Sequence, residues 1–163
     1  MQARIMLAAL MLGALPAHGQ DALISYKSLS PEIALELARA ALGSCRERGF
    51  QVTVAVVDRF GVTQALLRDR FAGAHTVPTA TGKAWTAVSF RTNTGDLAAQ
   101  TQPSMPQAGV RALPGVVAIA GGLMVEAGGS TVGGIGVSGA PAGDADEACA
   151  RTGIEAVRDR LEF

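Results

Sequence analysis

The chain has 163 residues, 48% of them apolar and 4% aromatic, and its 14 basic residues face 14 acidic ones for a formal net charge of zero. A chain of this size forms one domain whose core is large enough to hold without staples. With no basic run to neutralise a phosphate backbone, the composition argues against nucleic acid as a partner, and the scarcity of aromatics implies a core of Ala, Val and Gly.

The opening "MQARIMLAALMLGALPAHGQ" carries Arg4 near its start, an apolar stretch from Ile5 to Leu15, then Pro16 and small residues up to Gly19. This is the pattern of a secretory signal peptide over residues 1–19, cleaved between Gly19 and Gln20. The apolar run falls short of the roughly 20 residues that span a bilayer, so no membrane insertion is expected after cleavage. The expected location is periplasmic or secreted, and the working domain is 20–163.

A helix is announced at both ends of "SLSPEIALELARAALGSCRERG". Ser30 suits the cap, Pro31 the first helical position and Glu32 the positive end of the dipole, while Gly49 can adopt the left-handed turn that ends it. "FQVTVAVVDRFGVTQALLRD" reads as a hairpin, with two β-rich runs flanking a reversal at "DRFG". A loop through Pro78 and a helix from about Thr79 to Arg91 follow, then a short helix capped near Thr94. Residues 102–114 carry three prolines and read as an irregular loop.

"GVVAIAGGLMVEAGGSTVGGIGVSG" reads as three short strands separated by glycine turns, and "DADEACARTGIEAVRDRLEF" as a closing helix with acids in its first turn. Turns this short join antiparallel strands, because a parallel crossover needs a dozen or more residues. The fold class is therefore α+β, an antiparallel sheet with helices against it.

Most motifs dissolve on inspection. "GIGVSG" matches the dinucleotide fingerprint in letters only, since it lies inside a strand with no following strand to supply an acidic partner for ribose. Its glycines instead admit close approach of another backbone or of a flat ligand. "TGKAW" places Ala84 where a phosphate loop needs Ser or Thr. Ser138 has no nucleophile frame, Glu32 and Glu36 read as a solvated helix face, and two distant cysteines with one histidine make no zinc site. What stands out is His75 in "AGAHTVPTATGKAWTAV", the one histidine left once His18 departs with the signal. A single imidazole builds no metal site alone, but it can complete an iron whose other ligands come from a porphyrin. The small residues Ala72, Gly73 and Ala74 leave room beside it, and Pro78 is expected to hold Val77 extended and aim the ring outward from the helix start.

"VAVVDRFG", "AGAHT", "GKAWTAVSFRTNT", "LPGVVAIAGGLMV" and "VGGIGVSGAPAGDADEACARTGIEAV" together resemble the GlcG/HbpS-like haem-binding proteins, which are related to the C-terminal domain of PduO. The resemblance covers nearly all of 20–163. It implies a profilin-like fold with a five-stranded antiparallel sheet, assembly into a homo-oligomer, and haem as the cofactor.

The family's segment falls on Gly73, Ala74, Lys83, Ala84, Thr86 and Ala87, and the haem-associated positions on His75 and Thr76. Ala72 departs from the Asp that many relatives carry there. The resulting expectation is an exported haem-binding protein, serving haem sequestration, carriage or sensing, with His75 on the iron. Thr76 and Lys83 would flank the porphyrin, with Trp85 near its edge. The alternative is a non-catalytic accessory subunit of an exported oxidoreductase system with no cofactor of its own; an enzyme acting on a small organic acid lacks a visible catalytic set. In a profilin-like arrangement the first and last helices pack antiparallel, which would let Cys45 and Cys149 meet as a disulfide; buried free thiols are the other reading.

Overall fold

The computed structural model describes residues 22–162, so the segment read as a signal peptide lies outside the described residues. In chain order the elements are α1 (Pro31–Glu47), β1 (Thr53–Asp58), β2 (Thr63–Arg68), α2 (Thr76–Phe90), α3 (Thr94–Gln100), β3 (Gly122–Ala127), β4 (Ser130–Ser138) and α4 (Gly143–Val157). Short 3-10 turns occupy Ala108–Ala112 and Arg158–Arg160.

Local chemistry explains the first half closely. Ser30 accepts from the Ile33 N–H at the start of α1, and Gly49 has φ 79° just past its end. At the hairpin, Asp58 Oδ1 accepts from the N–H groups of Phe60 (2.8 Å) and Val62 (3.0 Å), so one side chain folds the whole reversal.

Among the described residues the sheet has four strands in the order β2-β1-β4-β3, all neighbours antiparallel. The expected five-strand sheet is thereby corrected. The missing strand is the apolar run after Gly115, and two features keep it from extending. Gly115 (φ 82°) and Gly121 (φ 114°) bend the chain at either end, and the Val117 N–H donates to the Thr86 hydroxyl of α2 (3.0 Å) instead of to a neighbouring strand. The run becomes a wall beside α2.

β1 and β4 are central and covered on both sides. On one face Val54, Val56, Leu123, Val125, Ile135 and Val137 pack against Ile33, Leu37 and Ala41 of α1 and against Ala150 and Val157 of α4. Burying each of the Val, Leu and Ile side chains among them stabilises the fold by about 1.5–3 kcal/mol. Cys45 and Cys149 are joined within this layer as a disulfide, Cα to Cα 5.5 Å, across 104 residues of sequence.

The other face is built differently. Ideal Cβ atoms on Gly134 and Gly136 would stand 3.0 Å from the Ala84 carbonyl oxygen and 2.0 Å from that of Ala80, so bare glycines let the backbone of α2 lie directly on β4. The "GIGVSG" glycines thus serve another backbone, the first of the two uses read from sequence. Among the described residues, the apolar cluster there is Val57, Ala84 and Val88.

Candidate functional site

The segment between β2 and α2 is fixed at several points. Asp69, buried at the end of β2, is paired with Arg46 of α1, and its main-chain carbonyl accepts from the Ala72 N–H (3.1 Å). Arg68 donates to the Ala72 carbonyl (2.6 Å). Gly73 closes a turn, its carbonyl accepting from both the N–H (3.0 Å) and the hydroxyl (2.6 Å) of Thr76. With its proton given to Gly73, the Thr76 hydroxyl accepts from that of Thr53 on β1, 2.7 Å away. The loop therefore hangs from the central strand through two threonines.

His75 sits at the cap position of α2 with helical backbone angles (φ −63°, ψ −21°). Its carbonyl accepts from the Thr79 N–H (3.2 Å) and hydroxyl (2.7 Å), so the main chain is engaged while the side chain is exposed. Among the described residues the imidazole makes no hydrogen bond, which leaves its ring nitrogens available to a ligand. The helix begins three residues earlier than the sequence suggested. Pro78 lies inside the first turn, where a missing N–H costs nothing, and Val77 is helical, so the expectation that Pro78 holds it extended is corrected.

Along its outer side α2 lines an open, mainly apolar groove of ≈ 680 Å³ with Val77, Pro78, Thr81, Gly82 and Trp85, and the wall 115–117 faces them. These positions recur at helical spacing, with His75 at the head of the same helix. The volume lies within the range of small-molecule and cofactor sites. An apolar groove along α2, with an unbonded imidazole at the start of that helix beside the residues that line it, fits the chemistry of a flat, largely apolar macrocycle carrying a metal, so the residues present are compatible with haem.

The three site residues read from sequence are not brought together as side chains on one surface. His75 is exposed, whereas Thr76 is 1% exposed and its hydroxyl is turned to Thr53 and Gly73. Lys83 is also 1% exposed; its ammonium donates to the Val137 carbonyl (2.9 Å) and to Asp146 Oδ2 of α4 (2.8 Å). A buried ammonium must be satisfied inside the fold, and Lys83 meets that need at Val137 and Asp146 rather than presenting its charge on the surface beside His75. Trp85 is half-buried in the groove, between the Gly61 turn and Gly115.

Sequence reasoning missed Asp146, which it took as one of several dipole-complementing acids. Asp146 Oδ1 also accepts from the Ala140 N–H (2.9 Å). Burial pushes its carboxyl above the usual range, against the hydrogen bond and charge of Lys83, which lower it. Glu36, read with Glu32 as a solvated face, pairs with Arg160, and among the described residues no three His, Cys, Asp or Glu side chains gather to hold a metal ion.

Comparison with known proteins gives the family. Residues 29–155 match the family model described as "Haem degrading protein HbpS-like". In structure the chain resembles HbpS of Streptomyces reticuli, solved as a double mutant, with 40% identity and a TM-score of 0.78 over 89% of this chain and 98% of that one. It also resembles PduOC in complex with haem, at 31% identity and a TM-score of 0.75 over 79% and 94% of the two chains. In sequence it is 33% identical over 124 residues to the corrinoid adenosyltransferase PduO of Salmonella typhimurium, covering 75% of this chain but spanning only 37% of that protein's length. With most of its length matched by the family model and by an HbpS structure alike, this chain belongs to the HbpS-like family.

Proposed function

We propose that this chain is an exported haem-binding protein in which His75 supplies the protein ligand to the iron. The observation that carries the reading is the exposed His75 imidazole, without a hydrogen bond among the described residues, at the head of the helix that lines the apolar groove. The HbpS-like membership and the likeness to a PduOC–haem complex support the choice of haem over other flat ligands. When bound, haem supplies iron with open coordination positions, and the protein's part is to offer the imidazole, an apolar wall and a fixed loop. Export draws support from the leader-like opening and from the Cys45–Cys149 disulfide, a bond that persists in oxidising compartments.

The groove offers a wall of α2 on one side and 115–117 on the other, and remains open above. Phe60, Val62, Phe71 and Ile119 add exposed apolar surface. A second copy of the chain would cover such surface and exclude water from the macrocycle, so binding and self-assembly reinforce one another in this reading.

The test is titration of the purified chain with ferric haem, followed by the Soret band. Saturable binding with a defined Soret shift in the wild type, weakened and shifted in His75→Ala, is expected. Equal affinity and spectrum in the two proteins would remove His75 as the ligand. Sedimentation with and without haem reads the assembly.

A further inference from the structure

Resting on the reading of His75 as ligand, we infer that Gly73 is a positioning residue for its imidazole, and that the Thr76–Thr53 hydroxyl bridge holds Gly73 in place. A Cβ built on Gly73 would stand 2.6 Å from His75 Cε1 and 2.8 Å from Nδ1, but 3.8 Å from Nε2. The ring thus fills the space a side chain at 73 would take. It is folded back over the loop with its Nδ1 edge against residue 73 and Nε2 the freer nitrogen. Gly73 is not required by its own backbone, because its φ is outside the left-handed region and other residues adopt that conformation freely. What glycine provides at this position is room for the ring.

An exposed imidazole would otherwise sample several rotamers, and each unproductive one weakens a ligand that must meet iron in a single orientation. The turn that brings residues 73 and 75 together is closed by the Thr76 N–H and hydroxyl on the Gly73 carbonyl, and tied to β1 through Thr53. The sheet thereby sets the ring's place, and Nε2 is assigned as the atom that meets iron.

Because the imidazole can swing away from an added methyl, Gly73→Ala is expected to melt with the wild type while binding ferric haem about tenfold more weakly, with an altered Soret band. In the haem-free protein, the NMR cross-relaxation between the His75 ring proton on Cε1 and the Gly73 α-protons is expected to be strong, and its counterpart to vanish in Gly73→Ala. Thr76→Ser keeps the hydroxyl and retains binding, whereas Thr76→Val loses it to a similar extent as Gly73→Ala. If Gly73→Ala keeps wild-type affinity, spectrum and ring orientation while His75→Ala is impaired, the positioning role is overturned and the ligand assignment stands. If His75→Ala itself binds haem unchanged, the ligand assignment fails and the positioning role goes with it.

Discussion

The two faces of the sheet hold their helices by opposite means. Toward α1 and α4, large aliphatic side chains interdigitate and a disulfide crosses the layer. Toward α2, glycines bring backbone against backbone, three small apolar residues cluster, and a buried ion pair reaches through to α4. The first face draws its stability from buried area, which forgives small shifts. The second depends on close fit, and that fixes the height and tilt of α2 and so the place of His75 at its head. One face holds the molecule together, and the other aims it.

The largest effect belongs to the first face. Replacing Cys45 and Cys149 by Ser releases a cross-link over 104 residues of sequence, and chain entropy alone sets its contribution at about 4.7 kcal/mol. Urea unfolding is expected to show that loss while haem titration of the still-folded protein stays near wild type. Parallel loss of both would mean the two faces are not separable.

Next comes the ion pair on the second face. Lys83→Met leaves Asp146 buried with the Ala140 N–H as its remaining partner, and breaking such a pair from one side costs about 3 kcal/mol. Adding Asp146→Leu to the same chain removes the orphaned carboxyl and recovers much of that loss, since a buried pair is worth little against an apolar replacement. Burial raises the Asp146 carboxyl above its ordinary 3.8, so the folded protein holds that proton more tightly than the unfolded chain does. Its contribution is fullest below about pH 3.8 and falls as the pH rises through the raised value. The difference in urea stability between wild type and Asp146→Asn, followed from pH 3 to 7, is expected to carry that downward slope. A flat difference would contradict the burial effect.

Gly136→Ala probes the close fit itself. The new methyl would meet the Ala80 carbonyl at 2.0 Å and the Ala84 nitrogen at 2.7 Å, and both are backbone atoms that yield only if α2 lifts. Overpacking of this kind costs about 2 kcal/mol. Unlike the cysteine variants, it is expected to weaken haem binding as well, because the helix that carries His75 moves.

Legibility in the sequence follows the range of the interactions. The α1 caps and the Asp58 hairpin are settled within four residues of chain, and local reading finds them. The α+β class follows from short turns between strands. The run at 116–121 resembles a strand because β propensity describes a half-buried surface, and Val116 and Val117 do occupy one, against α2 rather than in a ladder. Lys83 and Asp146 stand 63 residues apart, and nothing local in "TGKAW" or "DADEA" announces that they meet. His75 is legible as the odd residue in a chain poor in catalytic groups. Thr76, named with it as a contact, also pegs the loop to the sheet through Thr53, a partner 23 residues away that no local pattern announces.

The smallest effect on stability is expected at the site itself. The His75 side chain is exposed, has no hydrogen bond among the described residues, and belongs to neither apolar cluster of the core, so His75→Ala should change the unfolding free energy by less than about 0.5 kcal/mol. Its main-chain carbonyl still accepts from Thr79 whatever the side chain, which keeps the first turn of α2 intact. Urea unfolding that superimposes on the wild type, beside a weakened and shifted haem titration, would place binding in a group that the fold presents but does not rely on. A stability loss of a kilocalorie or more would mean instead that the ring packed over Gly73 helps to hold the loop, and the division between a face that holds and a face that aims would need redrawing at that turn.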